Sequence, residues 1–141
     1  MHNTAAAYYK LETVYHAINL EQQELSTLAA HLNEDAFKGA NITIPYKQLL
    51  IDYMDRLDDT ASSIGAINTI VKEAYSLVGY NTDSYGFLIP LEPYKDELED
   101  GRAIVFGTGG ATKAIIHALK ACKVSEIIVI FLNPAGSTKF Q

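Results

Sequence analysis

The stretch that decides the fold is GANITIPYK, at residues 39–47. Residues 40–44 have strand character, and Pro45 then removes a backbone donor and favours extended geometry in the residue before it. Lys47 follows this break, where a helix can begin. We therefore predict that Lys47 lies just past the end of a strand, with its side chain able to point back over the edge of a sheet.

Two further stretches also lead from an apolar run into small polar residues. They are GAINT at residues 65–69 and GYNTD at residues 79–83. Strands predicted over residues 67–72 and 75–79 are separated by two residues, which is typical of a hairpin. Such a pair brings Asn68 close to Asp83, and Thr82 or Asp83 can cap the following helix. A lysine and an aspartate over one pocket can bind a substrate hydroxyl and exchange its proton.

A fourth motif, GTGGAT at residues 107–112, lies between a predicted strand over 102–106 and a predicted helix over 113–121. Small glycines let a backbone approach a pyrophosphate, and the start of a helix offers free N–H groups to it. The loop lacks the third glycine of the usual fingerprint, so a tight turn that binds nothing is the alternative. Its place between a strand and a helix, downstream of the other motifs, favours nucleotide binding. A second parallel strand is predicted over 125–132.

The four motifs together resemble those of the shikimate dehydrogenase family. That family's pattern runs N-[VI]-T-x-P-x-K, G-A-x-N-T, N-T-D-x-x-G and G-x-G-G-A, and this chain has them in that order at residues 41–47, 65–69, 81–86 and 107–111. The resemblance covers nearly the whole chain. It implies an α/β fold in which a substrate-binding domain is followed by the first βαβ part of a Rossmann-like nucleotide-binding domain. We expect the substrate domain, without its first strand, over 1–89, a hinge over 90–101 and the NADP-binding part over 102–141.

The resemblance also implies a reaction, the reversible NADP-linked reduction of 3-dehydroshikimate to shikimate in aromatic amino acid (chorismate) biosynthesis. Lys47 would be the principal catalytic group and Asp83 would orient it. Thr43 and Asn68 would join them in binding the substrate. The residues expected to hold the cofactor are Gly107, Thr108, Gly109, Gly110, Ala111 and Asn133.

Some features depart from the family pattern. NADP-using members have an Asn-Arg pair after the last strand, and here Asn133 is followed by Pro134. NAD as cofactor, in a quinate/shikimate dehydrogenase, therefore stays open. The family's Ser-x-Ser-Pro loop and its C-terminal half have no counterpart, so we expect a partial dehydrogenase that is weakly active or inactive alone. A non-catalytic shikimate-binding or regulatory module is the alternative.

Composition narrows the class of partner. The 141 residues carry a net charge of −6, which argues against nucleic-acid binding because that affinity depends largely on clustered Lys and Arg. No apolar run is long enough to span a membrane and no signal peptide is visible, so a cytoplasmic monomer or homodimer acting on a small molecule is expected. Cys122 is interpreted as a small buried side chain. The acidic group at residues 52–59 is interpreted as a solvated face, and no metal is assigned.

The remaining elements follow from periodicity. A strand over 13–18, a helix over 22–32 and a strand over 38–43 would form a right-handed βαβ unit. A helix over 48–57 would turn Leu49, Leu50, Tyr53 and Leu57 inward. Further helices are predicted over 1–10, capped by Asn3 or Thr4, and over 82–94, broken by Pro90 and Pro93.

Overall fold

The computed structural model describes residues 1–131. Seven α-helices are present in this part of the chain: α1 (His2–Tyr8), α2 (Leu25–Leu32), α3 (Tyr46–Leu49), α4 (Asp59–Ile64), α5 (Asp83–Leu88), α6 (Lys95–Leu98) and α7 (Gly110–Ala121). Its six strands are β1 (Gly39–Asn41), β2 (Arg56–Leu57), β3 (Thr69–Glu73), β4 (Ser76–Tyr80), β5 (Arg102–Phe106) and β6 (Glu126–Ile130). Turns of 3-10 helix cover Gln22–Glu24, Leu50–Tyr53 and Ile89–Tyr94.

The first sheet is mixed and has the strand order β1-β3-β4-β2. Strands β3 and β4 form the predicted hairpin, with Thr69 opposite Tyr80 and Glu73 opposite Ser76. The turn falls at Ala74 and Tyr75, one residue later than predicted, and Ala74 has a positive φ of 53°. β1 pairs antiparallel with β3, and β2 pairs parallel with β4.

The core of this first half lies between the sheet and helices α2 and α4. Its fully buried side chains include Leu32, Leu50, Ile67 and Ile70, with Ala61 packed among them. The helix predicted over 22–32 is confirmed as a 3-10 turn followed by α2, which buries Leu25 and Leu32. Burial of these apolar side chains supplies the main stabilisation of the domain.

The second sheet contains β5 and β6, paired in parallel from Arg102 opposite Glu126 to Phe106 opposite Ile130. α7 connects the two strands, so the predicted strand, glycine loop, helix and strand are confirmed. Val105 is buried, whereas Ile104 and Phe106, on the opposite face of the strand, are exposed. Cys122, just after α7, is buried as interpreted.

The βαβ unit predicted from residues 13–43 is wrong. Residues 13–18 are not a strand, and β1 has an antiparallel neighbour, β3, instead of a parallel one. A strand exists only where a neighbour takes up its main-chain hydrogen bonds, and within residues 1–131 none pairs with 13–18. Alternation alone therefore misassigned this segment.

The helix predicted over 48–57 is also wrong in its second half. Helical geometry ends at Tyr53, and Met54 is extended with φ −93° and ψ 140°. The Asp55 carboxylate accepts a hydrogen bond from the Leu77 N–H at 2.7 Å, which draws the chain into β2 beside β4. Leu57 is consequently a strand residue, and Leu49 is exposed.

The cap proposed for α1 is wrong, because Met1 holds the N-cap position and the Asn3 side chain instead bonds both main-chain groups of Tyr15, at 2.6 and 2.9 Å. Residues 89–98 are helical, with both prolines inside a 3-10 turn. The division into domains at 90–101 stays a prediction.

Two of the acidic residues at 52–59 have structural roles, and Asp52 and Asp59 are exposed. Asp55 bonds to β4, and the Asp58 carboxylate accepts the Ala61 N–H at 2.9 Å as the N-cap of α4. Across residues 1–131 there is no group of three His, Cys, Asp or Glu side chains placed to hold a metal ion. No helix in that part of the chain is long and apolar enough to cross a membrane.

Candidate active site

The centre of the candidate site is an ion pair between Lys47 and Asp83. Lys47 Nζ donates to Asp83 Oδ2 at 2.5 Å, and the two side chains are 17% and 30% exposed. Lys47 lies in α3, two residues after Pro45, and its carbonyl accepts the Ile67 N–H at 2.7 Å. Asp83 is the first residue of α5, three residues after the end of β4. The structure thus brings these two predicted site residues together at the strand ends.

Asn68, the residue just before β3, completes the arrangement. Its Nδ2 donates to Asp83 Oδ1 and to Thr82 Oγ1, each at 2.8 Å, while its Oδ1 accepts the Thr82 N–H at 3.0 Å. Thr82 holds the N-cap position of α5 but makes no side-chain cap; its hydroxyl is bonded to Asn68 instead. Asn68 therefore fixes the oxygen of Asp83 that Lys47 leaves free.

Asn81 is a positioning residue to which the sequence reasoning gave no role. It is only 4% exposed, its Nδ2 donates to the Ala66 carbonyl at 2.8 Å, and its Oδ1 accepts the Asp83 N–H at 3.0 Å. These bonds fix both the backbone of Asp83 and the segment leading to Asn68. The sequence did offer a signal for this role, since Asn81 is a polar residue at the end of the apolar strand 76–80. A buried amide is nearly always hydrogen-bonded, so such a residue is expected to hold neighbouring segments in place.

Thr43 is placed at the turn after β1 and is exposed. Its carbonyl accepts the Tyr46 N–H at 3.0 Å, and within residues 1–131 its hydroxyl is not bonded to the Lys47–Asp83 pair. A role for Thr43 in binding a substrate stays a prediction.

Tyr80, at the end of β4, belongs to a separate surface cluster. Its hydroxyl donates to Glu73, which also accepts from Arg56 at 2.5 Å. The hydrogen bond to Glu73 is the main cause that raises the pKa of Tyr80, with burial and the Glu73 charge adding to it and Arg56 opposing it. Tyr80 therefore faces this cluster and is not bonded to the ion pair.

The glycine loop leads from β5 into α7, with open space beside Gly109. Gly107 has a φ of 109°, and its N–H donates to the Ile130 carbonyl at 2.8 Å. Gly109 is the N-cap of α7, and apart from its own chain neighbours no atom lies within 4 Å of where a Cβ would stand on it. A pyrophosphate can approach such a backbone and meet the free N–H groups of the first helical turn, so these residues fit the phosphates of a dinucleotide. Asn133 and Pro134 lie outside the described residues.

Helix α7 also contacts the ion pair and its supports. A Cβ on Gly110 would stand 2.9 Å from Lys47 Cβ, so the helix begins directly against the lysine stem. His117 Nδ1 and Ser84 Oγ are hydrogen-bonded at 2.8 Å, and Lys113 Nζ donates to Gln48 Oε1 at 2.8 Å. None of these contacts was predicted, since they join segments that are distant in sequence.

The fold and the site define a class of α/β proteins in which a substrate-binding domain with a mixed sheet precedes a Rossmann-like βαβ unit. Residues 1–70 match the family described as the shikimate dehydrogenase substrate binding domain. The NADP(+)-dependent shikimate dehydrogenase of Moorella thermoacetica is 38% identical over 139 residues, which are 99% of this chain and 47% of that protein. The chain belongs to the shikimate dehydrogenase family.

Solved structures give the same assignment. Shikimate dehydrogenase 1 of Peptoclostridium difficile aligns with a TM-score of 0.82 and 28% identity, covering 91% of this chain and 49% of that one. The shikimate 5-dehydrogenase of Thermus thermophilus, in a complex with NADP(H) and shikimate, aligns with a TM-score of 0.78 and 32% identity, covering 95% and 50%. The chain spans about half the length of the relatives it matches.

Proposed function

We propose that this chain provides the substrate site and the first part of the cofactor site of a shikimate dehydrogenase, which interconverts 3-dehydroshikimate and shikimate with NADP. The observation that carries the proposal is the Lys47–Asp83 pair, fixed by Asn68 at the strand ends and adjoining the start of the helix that follows the glycine loop. The shikimate and NADP(H) bound in the Thermus thermophilus structure support the choice of ligands.

The proposed role of Lys47 is to hold the reacting oxygen of the substrate and to exchange a proton with it. Asp83 keeps the ammonium group in place through Oδ2 and offers its carboxylate to a neighbouring hydroxyl. Asn68 orients that carboxylate, and because both of its amide hydrogens are engaged in the free chain, it would contact the substrate by exchanging its bond to Thr82. Thr43 contributes from the turn before α3. Such positioning lowers the barrier by bringing the reacting groups together before the chemical step.

The proposed cofactor site begins at the loop of residues 107–111. When bound, the nicotinamide supplies or accepts the hydride. The residues of this chain hold the phosphates through main-chain N–H groups at the start of α7, where the helix dipole favours an anion. Asn133 is proposed to contact the adenosine end of the cofactor. Because Pro134 stands where NADP-using members of the family have an arginine, NAD is tested as a cofactor alongside NADP.

The proposal is tested by measuring shikimate binding calorimetrically and the formation of reduced nicotinamide by absorbance, with NADP and NAD in separate arms and quinate as a second substrate. We expect Lys47→Ala to weaken shikimate binding about tenfold or more, because a hydrogen bond to a charged group is lost. Lys120→Ala is the matched control, since Lys120 is exposed on α7. Absence of shikimate binding to the unaltered chain, or equal binding by the Lys47 variant, would overturn the proposal.

A further inference from the structure

The Cβ side of Gly110 is occupied by the side chain of Lys47. A Cβ placed there would lie 2.9 Å from Lys47 Cβ, 3.2 Å from Lys47 Cδ and 3.3 Å from Ala66 Cβ. Ala66 is fully buried and cannot move aside, and Lys47 Cβ is fixed by its own backbone in α3. Any side chain at position 110 would therefore displace the lysine stem or push α7 away from it.

The need for glycine at 110 is a matter of space and not of backbone conformation. In the glycine loop only Gly107 has a positive φ, and Gly110 is the first residue of an ordinary helix. Gly109, one residue earlier, borders open space, which is where a ligand could approach. The two adjacent glycines thus face different surroundings, and Gly110 faces the aliphatic stem of Lys47.

Helix α7 is held in this position at a second point. Ser84, which follows Asp83 in α5, is 4% exposed, and its hydroxyl is bonded to His117 Nδ1 at 2.8 Å. Lys47 and Asp83 are thus each tied to α7, the first by direct contact at Gly110 and the second through its neighbour in the chain. The start of α7 forms one wall of the space in which Lys47 meets Asp83.

We propose that Gly110 is a positioning residue for Lys47: by having no side chain, it lets the lysine stem lie against α7 with its ammonium group on Asp83. This inference rests on the proposed function for its catalytic meaning. It gives Gly110 a task on the substrate side, separate from the cofactor contact that the glycine motif implies.

The decisive comparison is shikimate binding in the absence of nucleotide. A role in the cofactor loop alone leaves this affinity unchanged in Gly110→Ala, whereas a role in positioning Lys47 weakens it, by about tenfold for a lost charge-assisted hydrogen bond. Gly86→Ala is the matched control, because Gly86 also lies in a helix and nothing stands within 4 Å of its Cβ position. Unchanged nucleotide-free affinity in Gly110→Ala would overturn the inference.

A second measurement does not depend on any ligand. The side-chain NMR resonance of Lys47 is assigned by its loss in Lys47→Arg, and Asp83→Asn defines its position when the ion pair is broken. We expect Gly110→Ala to move the resonance toward that position and Gly86→Ala to leave it in place. If the Lys47 resonance does not move in Gly110→Ala, the inference is refuted, whether or not the chain binds shikimate. A failure of the unaltered chain to bind shikimate would count against the proposed function alone.

Gly110→Ala could also prevent folding, and a double variant covers that case. Lys47→Gly removes the Cβ and Cδ atoms that the new methyl group would meet. If Gly110→Ala fails to fold by itself but folds together with Lys47→Gly, the clash lies with Lys47 and the inference is supported. Failure of the double variant, when Lys47→Gly alone folds, would place the clash elsewhere and overturn it.

Discussion

Both oxygens of the Asp83 carboxylate are engaged, Oδ2 by Lys47 and Oδ1 by Asn68, while its main-chain N–H is bonded to Asn81. Three separate segments of the chain thus determine where this carboxylate points. The arrangement leaves little rotational freedom to Asp83 before any ligand arrives. Under the proposed function, a carboxylate fixed in this way would orient a substrate without an additional entropic cost at binding.

At the same scale, we expect Asn81→Ala to destabilise the chain by about 1–3 kcal/mol, because the Ala66 carbonyl and the Asp83 N–H lose their buried partner. Urea unfolding followed by circular dichroism measures the change. Asn19→Ala serves as the control, since Asn19 is exposed in an irregular segment. Equal stability of the two variants would show that the Asn81 bonds contribute nothing.

At the scale of elements, the short strand β1 is held close to its neighbour β3. A Cβ on Gly39 would stand 2.6 Å from the main-chain oxygen of Ile70, which cannot give way without opening the ladder. We expect Gly39→Ala to cost about 1–3 kcal/mol of stability through this overlap. Gly86→Ala, which meets no atom, should be neutral or slightly stabilising, and urea midpoints of the two variants provide the comparison.

The ends of α6 and α7 are linked by a surface ion pair with a distinct pH signature. Lys123 Nζ donates to Glu99 at 2.8 Å, and this bond is the main cause that lowers the pKa of Glu99 below 4.5 and raises the pKa of Lys123 above 10.5. The stabilisation from Glu99 is therefore complete above pH 4.5 and is lost as the pH falls through its lowered pKa. That from Lys123 is complete below pH 10.5 and is lost as the pH rises through its raised pKa.

An NMR titration of the Glu99 carboxyl carbon tests this signature. In the unaltered chain we expect a midpoint below the ordinary glutamate value, and in Lys123→Ala a return toward it. Lys120→Ala, in the last turn of α7, should leave the midpoint in place. A Glu99 midpoint that is the same in Lys123→Ala as in the unaltered chain would mean that the pair does not form in solution.

The elements also show where sequence reasoning succeeds. The β3–β4 hairpin and the β5–α7–β6 unit depend on neighbouring segments and on local turn signals, and both were predicted. Residues 13–18 and 54–57 were misassigned because their state depends on whether a distant strand offers hydrogen bonds. The contact between Lys47 and Asp83 could be predicted because both residues follow the ends of predicted strands. The contact of Gly110 with Lys47 depends on how the two sheets pack, and no local sequence pattern indicates it.

At the scale of the whole molecule, one face of the β5–β6 sheet is apolar and exposed. Ile104 and Phe106 lie on the same face of β5, and Ile130 stands opposite Phe106 on β6; their exposed fractions are 58%, 76% and 44%. Contiguous exposed apolar side chains of this kind bind hydrophobic dyes. The α7 side of the same sheet is covered, as buried Val105 shows.

We therefore expect the chain to enhance the fluorescence of anilinonaphthalene sulfonate, and Phe106→Ser to reduce that enhancement by roughly half as the largest part of the apolar face is lost. Tyr75→Ser is the control, because Tyr75 is 96% exposed but stands in the β3–β4 turn, away from this face. Equal dye binding by the two variants would count against the exposed sheet face as the binding surface.

The spacing of the site residues along the chain has a consequence for the way the site assembles. Asn68 and Asp83 close a loop of 15 residues through the hairpin, whereas Lys47 and Asp83 close one of 36. Because the entropy lost on loop closure grows with the logarithm of loop length, the lysine contact costs about 0.8 kcal/mol more to close from an open chain. The hairpin can form within roughly 1–10 μs by itself. The acceptor half of the site is therefore expected to be in place, and oriented, before its lysine docks.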